Sequence, residues 1–180
     1  GSFADEPLTQ HTALLLLEWR RGKKAANEVR EGQVKMAYQL WRMLGGRDSK
    51  ANRPTGDFAS TTQYAGIVYG KAPLLFDAQR KLVGEETWEK TLRAYVEQHR
   101  YRWVSSKTLT EVAAKSAPGQ AKQLEVLRKR WLEELHGDED IGQLNLADVL
   151  GGSGAVPQGT QLDAESLKKI EELMRQLGGE

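Results

Sequence analysis

Apolar residues recur at helical spacing along most of this 180-residue chain, and no stretch alternates as a strand would. Between residues 7 and 21, Leu14, Leu15, Leu16, Leu17 and Trp19 wrap most of the circumference, the pattern of a helix enclosed by others. A second helix is predicted from about Lys24 to Leu44 on Val34, Ala37, Tyr38, Trp41 and Leu44, with Gly45-Gly46 as its left-handed cap. Residues 45–60 (GGRDSKANRPTGDFAS) are rich in turn formers and charge and read as a surface loop.

Past that loop, Pro73 fits the first turn of a helix that stops at Gly84. Trp88, Leu92, Tyr95, Val96 and His99 then mark a strongly amphipathic helix, and Tyr101 to Val104 read as extended or turning. Thr108 and Glu111 have the spacing of a capping box, opening a helix through Ala117 that Pro118-Gly119 breaks. Leu124, Leu127, Trp131 and Leu135 stripe the next helix. From Gly137 the chain is expected to loosen: residues 137–161 read as a flexible linker with a short Leu144–Leu150 segment, and 162–180 as a final helix on Leu167, Ile170, Leu173, Met174 and Leu177. The predicted class is all-α, a compact multi-helix bundle with its body in residues 1–136.

Composition narrows the possibilities. A hydrophobic share of 39% with 28% charged residues is that of an ordinary globular protein. Lys+Arg 26 against Asp+Glu 25 gives no cationic surplus for nucleic acid, and clusters such as Arg128-Lys129-Arg130 are bracketed by acids. Cysteine is absent, which excludes disulfides, thiolate catalysis and Cys-based zinc sites. The longest apolar run, Ala13 to Leu17, is too short to span a bilayer. Gly1-Ser2 reads as a cloning remnant, and the natural polypeptide is expected to extend further toward its N-terminus.

The candidate chemistry is sparse. His11, His99 and His136 have no second ligand at i+3 or i+4, so they write no metal site. His99 reads as a hydrogen-bonded core histidine, and His136 suits a helix C-terminus. Two places carry more. Tyr69, just ahead of the Pro73 helix, could donate to a developing oxyanion, while Tyr64 and Tyr69 could equally be half-buried packing residues. The Asp5-Glu6 pair of Asp5-Glu6-Pro7, entering a helix, reads as N-terminal charge that complements the dipole.

In order and approximate distance, these stretches resemble the gluzincin aminopeptidases, zinc metallopeptidases with a thermolysin-like catalytic domain. Asp5-Glu6-Pro7 and the helix after it look like the entry to the helix that supplies the third zinc ligand, with Glu6 in the ligand position. Tyr64-Ala65-Gly66-Ile67-Val68-Tyr69-Gly70-Lys71 is similar to the family's Y-x-x-x-[VP]-Y-x-K-G pattern, and Ala72 stands where many members have glycine. The resemblance implies that Tyr69 is the oxyanion-stabilising catalytic tyrosine and Tyr64 its substrate-side companion. It also implies that the bundle is the helical C-terminal lobe of the catalytic domain, acting on peptides with zinc. No H-E-x-x-H occurs in the chain. By itself it is therefore expected to be inactive and to bind zinc poorly, its partner being the missing N-terminal half, with self-association through residues 13–17 a further expectation. The rival reading is a helical interaction or scaffold domain in which Glu6 and Tyr69 are ordinary packing and surface residues; a third is an inactive relative used for binding.

Overall fold

The computed structural model describes residues 5–144 together with Lys168 and Glu172. The described residues are all-helical, apart from turns and loops. The predicted Leu144–Leu150 segment beyond its first residue and most of the predicted final helix lie outside them; Lys168 and Glu172 are helical and exposed.

Helix α1 (Glu6–Val29) begins with Pro7 in its first turn and is interrupted at Gly22, whose φ of 86° and ψ of 166° suit a residue without Cβ. That break is where the apolar pattern divided the region in two. Residues Arg30–Lys35 widen into a π-type turn that leads into α2 (Met36–Met43). Gly45 has φ 82°, Gly46 N–H donates to Trp41 O at 3.0 Å and Gly45 N–H to Arg42 O at 3.1 Å. This is a Schellman closure of α2, as the glycine pair predicts.

The next helical stretch is composite. α3 (Thr61–Tyr64) is capped at Ser60, whose hydroxyl accepts from Gln63 N–H at 3.1 Å, while Gln63 Oε1 accepts from Ala59 N–H at 2.8 Å. Residues Ala65–Lys71 form a second π-type segment, and after Ala72-Pro73 the chain continues as α4 (Leu74–Val83). Two glycines let the π segment lie against α2. A Cβ on Gly66 would stand 2.5 Å from the Cβ of Trp41, and one on Gly70 2.6 Å from the backbone nitrogen of Tyr38.

α5 (Glu85–His99), α6 (Thr108–Ser116), α7 (Ala121–Leu132) and the short α8 (Gly137–Ile141) complete the body. Leu14, Tyr38, Ile67, Leu75, Phe76, Trp88, Leu124 and Leu132 meet in one apolar core. Burial of these side chains, at about 2 kcal/mol apiece, is the main force holding the helices together.

Several local expectations are corrected. Thr108 does not cap α6: its hydroxyl accepts from Ser105 N–H at 3.0 Å, so the turn before the helix uses it, and a side-chain cap is found at Ser60 instead. His99 is only half-buried, against the Tyr95 ring, because the outer side of α5 faces solvent. His136 precedes α8 rather than ending a helix, and its ring lies 3.3 Å from Glu134 and 3.0 Å from Glu139. Residues 137–141 are packed: Ile141 is buried and Asp138 binds both Tyr38 and Arg42. Leu14 likewise belongs to the core, and Leu16 and Trp19 are the exposed apolar residues of α1.

Candidate functional site

The residues singled out in sequence come together. Glu6, in the first turn of α1, lies beside Tyr64 and Tyr69 from the stretch that runs through α3 and the π segment. Tyr64 donates its hydroxyl to Glu6 Oε2, across 58 positions of sequence. The Tyr64 and Tyr69 rings meet edge to face, centroids 5.9 Å apart, and Phe58 stands against Tyr64 at 5.0 Å with the Arg53 guanidinium over its outer face. Asp5, Glu6, Thr9, Gln10, Ala13 and Tyr69 line an open pocket of about 520 Å³.

The electrostatics follow from this placement. Partial burial raises the Tyr69 phenol, and the adjacent Glu6 carboxylate raises it further because a phenolate there would be repelled; together they push it up to about 12. Tyr69 therefore stays a neutral donor at physiological pH. Its position differs from the one the sequence suggested. Tyr69 lies inside the π segment, with helical turns on both sides, and not in front of a free helix end. Its donor character owes nothing to a dipole. π-type insertions in helices recur at functional sites because they turn side chains out of the regular register. Glu6, by contrast, does occupy the first turn of α1, where the unpaired amides favour a negative charge.

The other end of the π segment is anchored by a group whose role the sequence did not disclose. Lys71 is fully buried, and its ammonium contacts Asp48 Oδ1 at 2.9 Å and Oδ2 at 3.0 Å, Ser49 O at 3.3 Å and Glu134 O at 2.9 Å. Gly137 N–H also donates to Asp48 at 2.9 Å. Burial pulls the Lys71 ammonium below the ordinary lysine range, and Asp48 opposes that pull. The 45–60 loop is thereby tied to the floor of the helix that presents Tyr69.

α1 is seated by a second buried set. Trp88 Nε1–H donates to His11 Nε2 at 2.9 Å, which turns Nδ1 toward Asp77. That nitrogen lies 3.1 Å from Asp77 Oδ1, close but poorly directed for a hydrogen bond, and Arg30 Nε donates to Asp77 Oδ2 at 2.7 Å. Burial works to raise the Asp77 carboxyl, but His11 and Arg30 outweigh it and hold it below the usual range. His11 thus faces inward, and one turn earlier Glu6 faces the pocket. A lone histidine within an apolar run was the available signal for this contact, but its partners are distant in sequence.

The donor set does not make a zinc site. Among the described residues no group of three or more His, Cys, Asp and Glu side chains could hold a metal ion, and a catalytic zinc needs three protein ligands. The pocket offers the carboxylates of Asp5 and Glu6 and no imidazole. Also among the described residues, no helix is long and apolar enough to cross a membrane. Searches against protein-family models, curated proteins and solved structures find no match to this chain.

Proposed function

We propose that this chain is the C-terminal helical portion of a zinc-dependent peptidase of the gluzincin aminopeptidase type, with Glu6 as its third metal ligand and Tyr69 as the donor to the oxyanion. The observation that carries the reading is the convergence of Glu6, Tyr64 and Tyr69 on one open pocket from two separate helical stretches. In this reading Tyr69, kept neutral by burial and by Glu6, donates to the carbonyl oxygen of a scissile peptide as negative charge develops on it. Tyr64 holds the Glu6 carboxylate in orientation through its hydroxyl. A bound zinc would polarise that carbonyl and acidify a water. This chain alone lacks the donors to retain it, so no zinc step is assigned to these residues by themselves.

The test is the natural polypeptide. Its sequence before residue 3 should contain H-E-x-x-H ending about eighteen residues ahead of Glu6, a spacing set by the resemblance. The purified protein should release N-terminal residues from peptides in a zinc-dependent manner, and Glu6→Gln should abolish both tight zinc binding and turnover. An upstream sequence without that motif, or activity that survives Glu6→Gln, removes the proposal. Sub-micromolar zinc binding by this chain alone, read by calorimetry, would also contradict it.

A non-catalytic interaction domain is the second reading, and one observation favours it. Trp19 is 82% exposed, Tyr101 96% and Trp103 fully so, and side chains of this kind are enriched at protein contacts. A natural polypeptide with the same helices but no H-E-x-x-H would leave this reading and that of an inactive relative used for binding.

A further inference from the structure

The outward face of α1 has a polarity that no ion pair among the described residues uses. Asp5, Thr9, Thr12, Ala13, Leu16 and Arg20 are all exposed and follow one another at helical spacing along the side turned away from the core. The run begins acidic, passes through small residues, becomes apolar at Leu16 and Trp19, and ends basic. Among the described residues, Asp5 meets no cation and Arg20 meets no carboxylate, although most other charges near the core are paired. The hydroxyls of Thr9 and Thr12 are turned back onto Asp5 O and Leu8 O, each at 2.8 Å, and demand no outside partner.

Such a face is self-complementary. We propose that two copies of this chain pair through α1, antiparallel about a two-fold axis near Thr12 and Ala13. Asp5 and Arg20 lie about 22 Å apart along the helix. An antiparallel copy therefore sets acid against base at both ends in the same register. The axis falls where the side chains are small, which lets the two backbones approach, and Leu16 of each copy lies over Thr9 of the other. In that register Trp19 of each copy flanks the seam on the side away from Glu6, and the apolar contact at the seam is Leu16. The proposal concerns this chain by itself and uses the charge order and exposure of α1; in the natural polypeptide of the catalytic reading the upstream half would take the same face.

Sedimentation equilibrium from micromolar to millimolar chain tests it. The wild-type chain should form a dimer that weakens as salt is raised. Asp5→Lys and Arg20→Glu each place like charges opposite one another twice, and each should weaken the dimer by about tenfold or more. An equimolar mixture of the two variants should recover a heterodimer, since both end contacts become attractive again. The Asp5→Lys/Arg20→Glu double variant should recover the homodimer for the same reason. Leu16→Ala should weaken the dimer and leave the helical circular dichroism signal of the dilute monomer unchanged, which separates lost pairing from lost folding. A wild-type chain that is monomeric throughout at low salt overturns the proposal, as it would if an upstream segment or an unrelated protein were the true occupant of the face. So does a dimer that is indifferent to both charge reversals.

Discussion

Two carboxylate–tyrosine clusters lie on opposite sides of the Ala65–Lys71 segment, and they are built to different ends. On the α2 side Tyr38 is fully buried and donates to Asp138 at 2.8 Å, Arg42 grips the same carboxylate through two contacts of 2.6 Å, and Lys71 neutralises Asp48 beside it. Burial raises the Tyr38 phenol far above its ordinary value, and Arg42 holds the Asp138 carboxyl below its own. On the α1 side Glu6 is met by the phenols of Tyr64 and Tyr69; among the described residues no Lys or Arg lies within ion-pair distance of it, and the cluster opens on a pocket. The same residue types therefore do two jobs. A carboxylate matched by a buried cation is a structural tie. One left to neutral donors at a pocket edge keeps its charge available to a ligand.

The sharpest way to break the comparison is to remove the cation from the closed cluster. Lys71→Met leaves Asp48 buried without its partner, a defect worth roughly 3–5 kcal/mol, and urea denaturation should show a loss of that size. Lys71→Met with Asp48→Asn should return part of it. Next comes Gly70→Ala, which drives a methyl into the Tyr38 backbone; about 1–3 kcal/mol of destabilisation is expected from overpacking, together with displacement of the Tyr69 ring visible in its aromatic NMR shifts. On the open side, Tyr64→Phe should lower stability by only about 1 kcal/mol, since it removes one hydrogen bond from a half-buried carboxylate that water can reach.

A smaller effect concerns acid. The Asp77 carboxyl is depressed in the fold, so between its folded value and the ordinary carboxylate range the unfolded chain binds more protons than the native one. Its contribution is fully present above the unfolded carboxylate pKa and is lost as pH falls through the folded value. Stability measured by urea should be level near neutrality and decline below about pH 4, and Asp77→Asn should flatten that slope while lowering the plateau.

Much of the bundle was legible in the sequence because helices are written locally. The break at Gly22, the Schellman turn at Gly45-Gly46 and the stop at Gly84 all follow from glycines at the ends of apolar stripes. The Ser60–Gln63 cap was equally legible, as S-T-T-Q, but the Thr108–Glu111 pair presented the same signature in a place where the preceding turn competes for the hydroxyl. What was not legible depends on distant partners. The π register around Tyr69 arises from Gly66 and Gly70 lying against α2, and no local pattern announces it. His11 finds Trp88 and Asp77 from two other helices, and Lys71 finds Asp48 in a loop. Tyr69 and the Asp5-Glu6 pair stood out in the sequence, but spacing by itself favoured packing and helix-dipole roles, and only the family resemblance assigned them to a site.

The most direct test of the open cluster's assignment is the steady-state kinetics of Tyr69→Phe in the natural polypeptide. Removing one oxyanion donor should lower kcat by about a hundredfold, roughly 3 kcal/mol of transition-state stabilisation, and leave KM nearly unchanged. Turnover close to that of the unsubstituted protein would contradict the account, and Tyr69 would then be a packing residue beside an acid.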